Sequence, residues 1–399
     1  MSTANRRAFL QQSALAAAGL IMGPMAKGST DQGDDNGRIL VVVELSGGND
    51  GLNSVVPYGD DAYYRHRPNI GIRREKLLKI DDHYGFNPGM LGFERLWNRG
   101  ELAVVHGCGY DNPSFSHFTA MNYWHTAAPN SGEKYGWLGR LADASTAPGA
   151  DNALINIGSS QSLAVNSQFH RPLVFDDPER FARAGFSQQR QALASDAQGG
   201  YQANPSRQFL RQVARSAQHS SLQIRQAWSD YNSPIDYGIA ALDLPKVAAC
   251  IAAGLPTRLY HVAFRNNAFD THVQQPALHR RLLSYACDGI HGFIRDLERL
   301  GLADKVSVLV HSEFGRRVPE NANQGTDHGS ANVMFFAGKA VRGGHYGRAP
   351  SLTDLTSGDN LKHTTDFRQV YATAIDGWLN RGVASEVLKG DFPPLPIFS

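Results

Sequence analysis

The chain has 399 residues, enough for one large α/β domain with insertions or for two ordinary domains. Lys and Arg together number 39 and Asp and Glu number 37, so the formal net charge is only +2. This balance excludes a global field that would attract nucleic acid or an anionic membrane surface, and we expect neither as a partner.

The N-terminus carries the pattern of an export signal. A twin-arginine motif lies between Asn5 and Leu10, and an apolar run too short to span a bilayer follows it. We therefore predict a twin-arginine signal peptide over 1–28 and a flexible leader over 29–37. The protein is then periplasmic or secreted, has the twin-arginine export machinery as a partner, and does not insert into the membrane after cleavage. The alternative is a cytosolic tail that contains Arg-Arg by chance.

Apolar runs alternate with amphipathic helical patterns along the rest of the chain. The run from Ile39 to Leu45 is nearly continuous and β-branched, as in a central strand buried on both faces. Further strands are predicted at 101–106, 154–157, 259–264, 306–310 and 332–337, and helices at 89–98, 277–300 and 366–379. The alternation predicts an α/β fold with a mostly parallel central sheet flanked by helices, as a single domain over 38–399.

One stretch departs from this pattern. Residues 178–232 are rich in Gln, Arg, Ser and Ala and contain few large hydrophobes, which predicts an inserted helical cap over about 178–250. Cys250 and Cys287 both lie in apolar, helical-looking segments. We interpret them as buried thiols, with one disulfide between them as the alternative.

Five short polar clusters follow the predicted strands or lie in glycine-rich turns. They are Gly47-Gly48-Asn49-Asp50, Ser114-Phe115-Ser116-His117, Asp270-Thr271-His272, His311-Ser312-Glu313 and Thr326-Asp327-His328-Gly329. Open α/β sheets bind their ligands at the carboxyl ends of the strands. Carboxylates, imidazoles and a hydroxyl in these places together predict a metal-assisted hydrolase site.

Two of these clusters also have a purely structural interpretation, and the cluster with Asp270 has the spacing of metal ligands. Asp50 is either a ligand for a divalent metal or the cap of its own turn. Ser114 or Ser116 is either a nucleophile at a helix N-terminus or only an N-cap. Asp270 and His272 can ligate one metal from an extended loop, because side chains two residues apart point to the same side.

At these residues the chain resembles a family of twin-arginine-exported bacterial proteins of unknown function, related to the alkaline phosphatase and sulfatase superfamily. The resemblance spans roughly 38 to 380 and implies an alkaline phosphatase-like α/β fold. It is carried by Leu45-Ser46-Gly47-Gly48-Asn49-Asp50-Gly51-Leu52-Asn53, Ser116-His117-Phe118, Phe269-Asp270-Thr271-His272, Ser312-Glu313-Phe314-Gly315-Arg316 and Gly325-Thr326-Asp327-His328-Gly329.

The resemblance implies a role for each candidate residue. Asp50 and Glu313 would share one metal ion with the nucleophile Ser116. The ligands of the other ion would be Asp270, His272 and His328. The expected cofactor is one or two divalent ions, zinc first, with calcium, magnesium or manganese as alternatives.

The remaining candidates would contact the substrate. Arg316 would balance the charge on the transferred group as a catalytic residue. Asn49, Ser114, His117 and Asp327 are the predicted substrate-binding residues.

Two departures from the superfamily pattern bear on the metal count. Ser312-Glu313 stands in place of an adjacent Asp-His pair, which leaves one imidazole fewer for the second ion and keeps a mononuclear site open. The Cys-x-Pro-x-Arg signature of sulfatases is absent from the sequence, so formylglycine chemistry is not expected.

The leading hypothesis is an exported, metal-dependent hydrolase of a phosphate or sulfate ester, acting on a small anionic ester or glycan. The alternative is a non-catalytic envelope protein that binds an anionic glycan or a partner with the same scaffold. A serine esterase built from Ser116, Asp327 and His328 is disfavoured. Adjacent Asp and His do not easily pair, and the sequence has no Gly-x-Ser-x-Gly elbow.

Overall fold

A central β-sheet organises the chain in the computed structural model, which describes residues 37–147, 150, 152–181 and 219–398. The predicted signal peptide and nearly all of the predicted leader lie outside the described residues, as does 182–218 of the predicted cap. The described residues belong to one compact unit, Gly37–Ser399. No helix among them is long and apolar enough to cross a membrane.

The described strands, in chain order, are β1 (Ile39–Glu44), β2 (Val55–Val56), β3 (Leu78–Lys79), β4 (Gly85–Phe86), β5 (Leu102–Gly109), β6 (Leu154–Ile157), β7 (Leu173–Phe175), β8 (Leu259–Ala263), β9 (Val306–His311), β10 (Asn332–Ala337), β11 (Gly344–Tyr346), β12 (Leu355–Thr356), β13 (Asn360–Leu361) and β14 (Thr365–Asp366).

The described helices are α1 (Asp61–His66), α2 (Leu91–Asn98), α3 (His117–Thr126), α4 (Trp137–Ser145), α5 (219–230), α6 (Leu244–Ala252), α7 (Gln275–Arg299), α8 (Phe367–Ala372) and α9 (Ala384–Leu388). A π-helical segment, Thr373–Trp378, continues α8 and completes the closing helix expected at 366–379.

Within the described residues the main sheet has nine strands in the order β11-β5-β10-β9-β1-β8-β6-β7, with β14 paired beside β5. β10 runs antiparallel to both of its neighbours, and the other pairs in this sheet are parallel. The mostly parallel sheet expected from the sequence is therefore confirmed. The long apolar runs were informative because a central strand covered on both faces needs hydrophobic residues at every position.

Helices cover both faces of this sheet. Val41 and Val43 of β1 belong to one buried cluster, which also contains α7 side chains such as Phe293. Leu40 and Val42 point the other way, into a second buried cluster with the aromatic rings of α8 and its π-helical continuation. The described helices of the predicted cap, α5 and α6, add residues to the first cluster and so pack on the same core as the sheet.

The sheet brings the polar clusters of the sequence to one edge. Parallel strands end at the same edge, so the loops after β1, β5, β8 and β9 lie together. The antiparallel strand β10 begins at that edge, so both ends of the segment between β9 and β10 lie there. All five clusters that the sequence singled out lie in these loops or directly beside them, with His311 as the last residue of β9 and His117 as the first residue of α3.

Gly48, in the loop after β1, is one position where this edge tolerates no side chain. Its φ is +75°, and a Cβ there would overlap the ring of Phe314. We expect Gly48→Ala to lower the free energy of unfolding by about 1 kcal/mol for the left-handed backbone and by roughly 1–3 kcal/mol more for the overlap. Urea unfolding measures the loss.

Gly100 supplies the matched control for this substitution. Its φ is +72°, but a Cβ there would meet nothing within 4 Å. Gly100→Ala should therefore show the backbone cost alone, about 1 kcal/mol. Equal losses for the two variants would contradict the steric argument.

Candidate metal centre

Four side chains from two loops and one helix converge at the sheet edge: His117 at the start of α3, Asp270 and His272 after β8, and His328 before β10. Asp270 Oδ1 lies 3.0 Å from His272 Nε2 and 3.2 Å from His328 Nε2. Asp270 Oδ2 lies 3.3 Å from His117 Nε2, and the Nε2 atoms of His272 and His328 are 2.9 Å apart. Their side chains are between 20% (His117) and 36% (His272) exposed, so solvent reaches the cluster.

Each imidazole is oriented by a hydrogen bond from its other nitrogen to an oxygen. His117 Nδ1 donates to Glu313 Oε1 at 2.8 Å, His272 Nδ1 donates to Asp327 Oδ1 at 3.3 Å, and His328 Nδ1 donates to the Phe115 carbonyl at 2.6 Å. A neutral ring with its proton on Nδ1 presents a lone pair at Nε2. The three anchors therefore fix the three tautomers and aim three lone pairs at Asp270, the arrangement usual for metal-binding histidines.

With the proton of each neutral ring on Nδ1, the three Nε2 atoms face Asp270 as acceptors. Three imidazole lone pairs and a carboxylate are all acceptors, and acceptors that face each other at about 3 Å repel unless a proton or a cation lies between them. His117 Nε2 is buried and makes no hydrogen bond. The arrangement is therefore suited to binding a positive ion.

Local backbone pairing brings these side chains together. An antiparallel β-bridge joins Arg316 to His328, which holds the two arms of the segment between β9 and β10 together. Asp270 closes a turn through its amide and the Asn267 carbonyl, 2.9 Å apart, and Asn267 adopts φ +48°. Phe115, which precedes α3, supplies the carbonyl that holds His328.

Arg316 ties the surrounding loops to Asp270. Its side chain is completely buried, and Nη2 donates to Asp270 Oδ1 at 2.7 Å. Its other hydrogen bonds go to the backbone carbonyls of Gly47, Gly48, Phe269 and Thr326, and its Nη1 also lies within hydrogen-bond distance of His272 Nε2, at 3.4 Å. With the five donors of the guanidinium engaged in this way, Arg316 orients Asp270 and has no free donor for a substrate.

Glu313 is placed as a support for His117. Its carboxylate is completely buried and accepts from the Gly47 amide at 2.8 and 3.0 Å and from the Ser312 hydroxyl at 3.1 Å, besides His117. The structure thus brings Glu313 next to the cluster, with its oxygens already satisfied by protein donors.

Asp50 lies apart from the cluster in a buried ion pair. Its Oδ2 is 2.7 Å from Arg67 Nη1, both side chains are fully buried, and Gln275 Nε2 donates to the same oxygen at 2.5 Å. Asp50 Oδ1 accepts from the Asn53 amide, as the turn-cap interpretation expects. Nothing in the local sequence around Asp50 indicates its partner, because Arg67 is 17 residues further on.

The other predicted substrate-binding residues occupy different places. Asn49 is buried, and its amide oxygen accepts from Ser54 and from His279. Ser114 Oγ accepts from the Ser116 amide at 3.3 Å. Ser116 is the N-cap residue of α3, but its exposed side chain makes no capping hydrogen bond.

The charges around Asp270 favour its ionised form. Burial alone would raise the pKa of Asp270, but the hydrogen bond and charge of Arg316, helped by His272 and His117, bring it below its usual value. The hydrogen bond to Glu313 raises the pKa of His117. Burial lowers the pKa of His328, which favours the neutral ring that a metal ligand requires.

A family model places the chain among its relatives. The model for a protein of unknown function, DUF1501, matches residues 38–379. The chain belongs to this family. Among curated proteins no sequence matches the chain significantly.

Several solved structures resemble the fold at low identity. One is a protein of the alkaline phosphatase superfamily from Vibrio parahaemolyticus, 8% identical with a TM-score of 0.38, over 78% of this chain and 63% of that one. Another is the lipoteichoic acid synthase LtaP from Listeria monocytogenes, 12% identical with a TM-score of 0.38, over 84% and 76%. A third is the PsFucS1 sulfatase from Pseudoalteromonas sp., also 12% identical with a TM-score of 0.38, over 90% and 70%.

This chain therefore spans less than two thirds of the first of these structures. What the chain can do follows from its own residues.

The Asp50–Arg67 pair can be tested as a buried ion pair. Arg67→Met leaves the buried carboxylate without its partner, so we expect a loss of about 3–5 kcal/mol in the free energy of unfolding. Arg74→Met is the matched control, because Arg74 pairs with Asp61 at 3.4 Å on the surface. That variant should lose about 1 kcal/mol or less. Similar losses in urea unfolding for the two variants would refute the assignment.

Proposed function

We propose that this protein is a metal-dependent hydrolase of a phosphate or sulfate ester, with Ser116 as the nucleophile. The observation that carries the proposal is the convergence of three imidazole lone pairs on the carboxylate of Asp270. Anchored imidazoles around an ionised carboxylate, open to solvent on one side, are a typical donor set for zinc and related divalent ions.

The donor atoms have a spacing that fits such an ion. Nitrogen and oxygen ligands at bond lengths of about 2.0–2.1 Å around a tetrahedral ion lie about 3.3 Å from each other. Asp270 Oδ1 lies 3.0 Å from His272 Nε2 and 3.2 Å from His328 Nε2, and the other oxygen, Oδ2, lies 3.3 Å from His117 Nε2. His117, expected from the sequence to bind substrate, joins Asp270, His272 and His328 as a proposed ligand.

Asp50 and Glu313 are left out of the proposed metal site. Asp50 already binds Arg67, and Glu313 already binds the Gly47 amide and His117. Their protein partners support the mononuclear alternative for this edge of the sheet. Glu313 and Asp327 become positioning residues for His117 and His272.

Ser116 is the residue best placed to attack. It stands between Phe115, whose carbonyl holds His328, and His117. The first intrahelical backbone bond of α3 runs from the Ala120 amide to the Ser116 carbonyl. The amides that precede Ala120 in the helix can therefore donate to an anionic group at the helix N-terminus.

In the proposed reaction Ser116 Oγ forms a bond to phosphorus or sulfur while the bond to the leaving alkoxide oxygen breaks, and the serine proton ends on that oxygen, so that the leaving group departs as the alcohol. A bound divalent ion would polarise the ester oxygen and lower the pKa of the attacking hydroxyl. Water then cleaves the serine ester and releases the inorganic anion. Arg316 acts throughout by keeping Asp270 ionised and oriented, without touching the substrate.

A second candidate is the binding of an anionic glycan without turnover. Phe115 and Phe118 flank Ser116 and are 42% and 86% exposed. Exposed aromatic rings beside an anion-binding helix N-terminus suit the apolar face of a sugar as well as they suit an ester substrate. Metal binding with no hydrolysis of phosphate or sulfate esters would favour this candidate.

The contacts do not favour a serine esterase. A triad of Ser116, His328 and Asp327 needs Asp327 to orient His328. Instead, Asp327 accepts from His272 and Asn321, and His328 donates to the Phe115 carbonyl. Twin-arginine export, to the periplasm or out of the cell, remains a prediction from the N-terminal sequence.

The metal site is tested by measuring the metal content of the exported protein and its hydrolysis of p-nitrophenyl phosphate and p-nitrophenyl sulfate. We expect Asp270→Asn to lose about one molar equivalent of metal and most of the hydrolysis. Chelation should abolish turnover, and a divalent metal should restore it. His363→Gln is the matched control, because His363 lies outside the cluster and only approaches Asp111, at 3.9 Å. Unchanged metal content in Asp270→Asn would end the proposal.

The nucleophile is tested separately. Ser116→Ala should keep the metal and lower kcat by a factor on the order of 10³ or more, because the attacking atom is gone. Ser114→Ala differs by the same atom two residues away and should retain most of the activity. If the two variants showed the reverse pattern, Ser114 would be the nucleophile.

A further inference from the structure

A second group of metal-binding side chains lies inside the protein, below the sheet edge. Glu44 at the end of β1, His261 in β8 and His125 in the last turn of α3 are all buried. One potential ligand atom of each lies within 4.8 Å of the others. Among the described residues, this group and the one around Asp270 are the two clusters of this kind.

The sheet register gives this group its form. Glu44 is paired with His311 of β9, and Val42 of β1 is paired with His261. Side chains at i and i+2 of a strand share a face, so Glu44, His261 and His311 point to the same side of three adjacent strands. That side is the one covered by α3, because Trp124 of α3 stacks on the His311 ring with centroids 5.6 Å apart. His125 completes the group from the same helix.

A proton shared between His125 and Glu44 explains their close contact but leaves the ring nitrogens of His261 and one of His311 without a hydrogen-bond partner. His125 Nε2 is 2.5 Å from Glu44 Oε2, as expected if one proton is shared between them. Neither ring nitrogen of His261 makes a hydrogen bond, although Nε2 is 3.4 Å from Glu44 Oε2. His311 Nδ1 is also buried without a hydrogen bond. Buried polar atoms of native proteins normally have partners, and three nitrogens in one place without them need an explanation.

We propose that Glu44, His125 and His261 bind a divalent transition metal ion, zinc being the best match, at a buried site separate from the one around Asp270. Two imidazoles and a carboxylate are a recognised zinc donor set. The 3.4 Å between Glu44 Oε2 and His261 Nε2 is close to the ligand spacing of about 3.3 Å in a tetrahedral zinc site. Binding replaces the shared proton, so the His125–Glu44 contact lengthens. His311 is the nearby candidate for a further ligand.

The consequence of this site is structural. An ion there joins β1, β8 and the C-terminal turn of α3, whose first residue is His117. Ligands this deeply buried leave no room for a substrate, so this ion stabilises the fold and takes no part in the reaction. It holds the helix that presents His117 to the first cluster.

Metal content tests the buried site in a background where the first site is empty. We expect wild-type protein to carry about two molar equivalents of divalent metal and the Asp270→Asn variant about one. Adding His261→Phe to Asp270→Asn should reduce the content to near zero. If Asp270→Asn already carries no metal, or if His261→Phe changes nothing, the buried site does not exist.

The urea midpoint of unfolding gives a second test, because the two hypotheses predict opposite effects of His261→Phe on it. If the site holds metal, His261→Phe lowers the urea midpoint, and chelation under partly denaturing conditions lowers the wild-type midpoint as well. If it does not, His261→Phe removes two unpaired buried nitrogens and leaves the midpoint unchanged or higher. His170→Phe is the matched control, because His170 is also buried with no hydrogen bond at either ring nitrogen but lies in neither cluster. His170→Phe should leave the metal content unchanged and should not lower the urea midpoint of unfolding.

A cobalt experiment covers the case in which His261→Phe does not fold. Asp270→Asn protein, produced in cobalt-supplemented medium, leaves the buried ligands intact. The visible absorption bands of nitrogen-liganded Co²⁺ should appear in it, and a spectrum without them overturns the proposal. Metal lost with Asp270→Asn but never with His261→Phe would leave the hydrolase proposal standing and refute this one alone.

Discussion

The guanidinium of Arg316 is the contact on which the candidate site depends. It is completely buried, and it donates to carbonyls in the loop after β1, in the loop after β8 and in the loop before β10, as well as to Asp270. A planar cation with five donors can hold several backbone segments at once, which a lysine cannot do. The same contact keeps the pKa of Asp270 low. One side chain therefore determines both where the Asp270 carboxylate lies and that it is charged.

The three carboxylates at this sheet edge, Asp50, Glu313 and Asp270, have different hydrogen-bond partners. These partners decide which of the three can bind an ion. Asp50 is neutralised by Arg67 in a fully buried pair, and Glu313 is saturated by the Gly47 amide, the Ser312 hydroxyl and His117. Asp270 is paired on one side only and stays partly exposed. A carboxylate that keeps free lone pairs toward a group of imidazoles can bind an ion, whereas a saturated one can only orient its neighbours. This distinction supports one ion at the edge of the sheet.

The sequence predicted that some of the candidate residues lie together because strand ends are visible in a sequence. The apolar runs at 39–45, 259–264, 306–310 and 332–337 predicted strands that the structure has, and parallel pairing brings the residues after them together. Asp270, His272 and His328 meet for that reason. The partners of Asp50 and Glu313 could not be found in this way, because side-chain direction after a glycine turn depends on residues far along the chain. The carbonyl of Phe115 gives no signal in the sequence, since every residue has one.

Helix α3 links the two groups of histidines. His117 and His125 are eight residues apart, so about 12 Å of helix separates them at 1.5 Å per residue. The two ends are held differently: His117 by Glu313 at the sheet edge, and His125 by Glu44 below it. A helix of this length is stiff compared with the loops around it, so its position follows from whichever end is held more firmly. The buried end has the lower dielectric, and its hydrogen bond is the shorter of the two, 2.5 Å against 2.8 Å. The position of His117 relative to Asp270 is therefore determined in large part by buried residues at the far end of the helix.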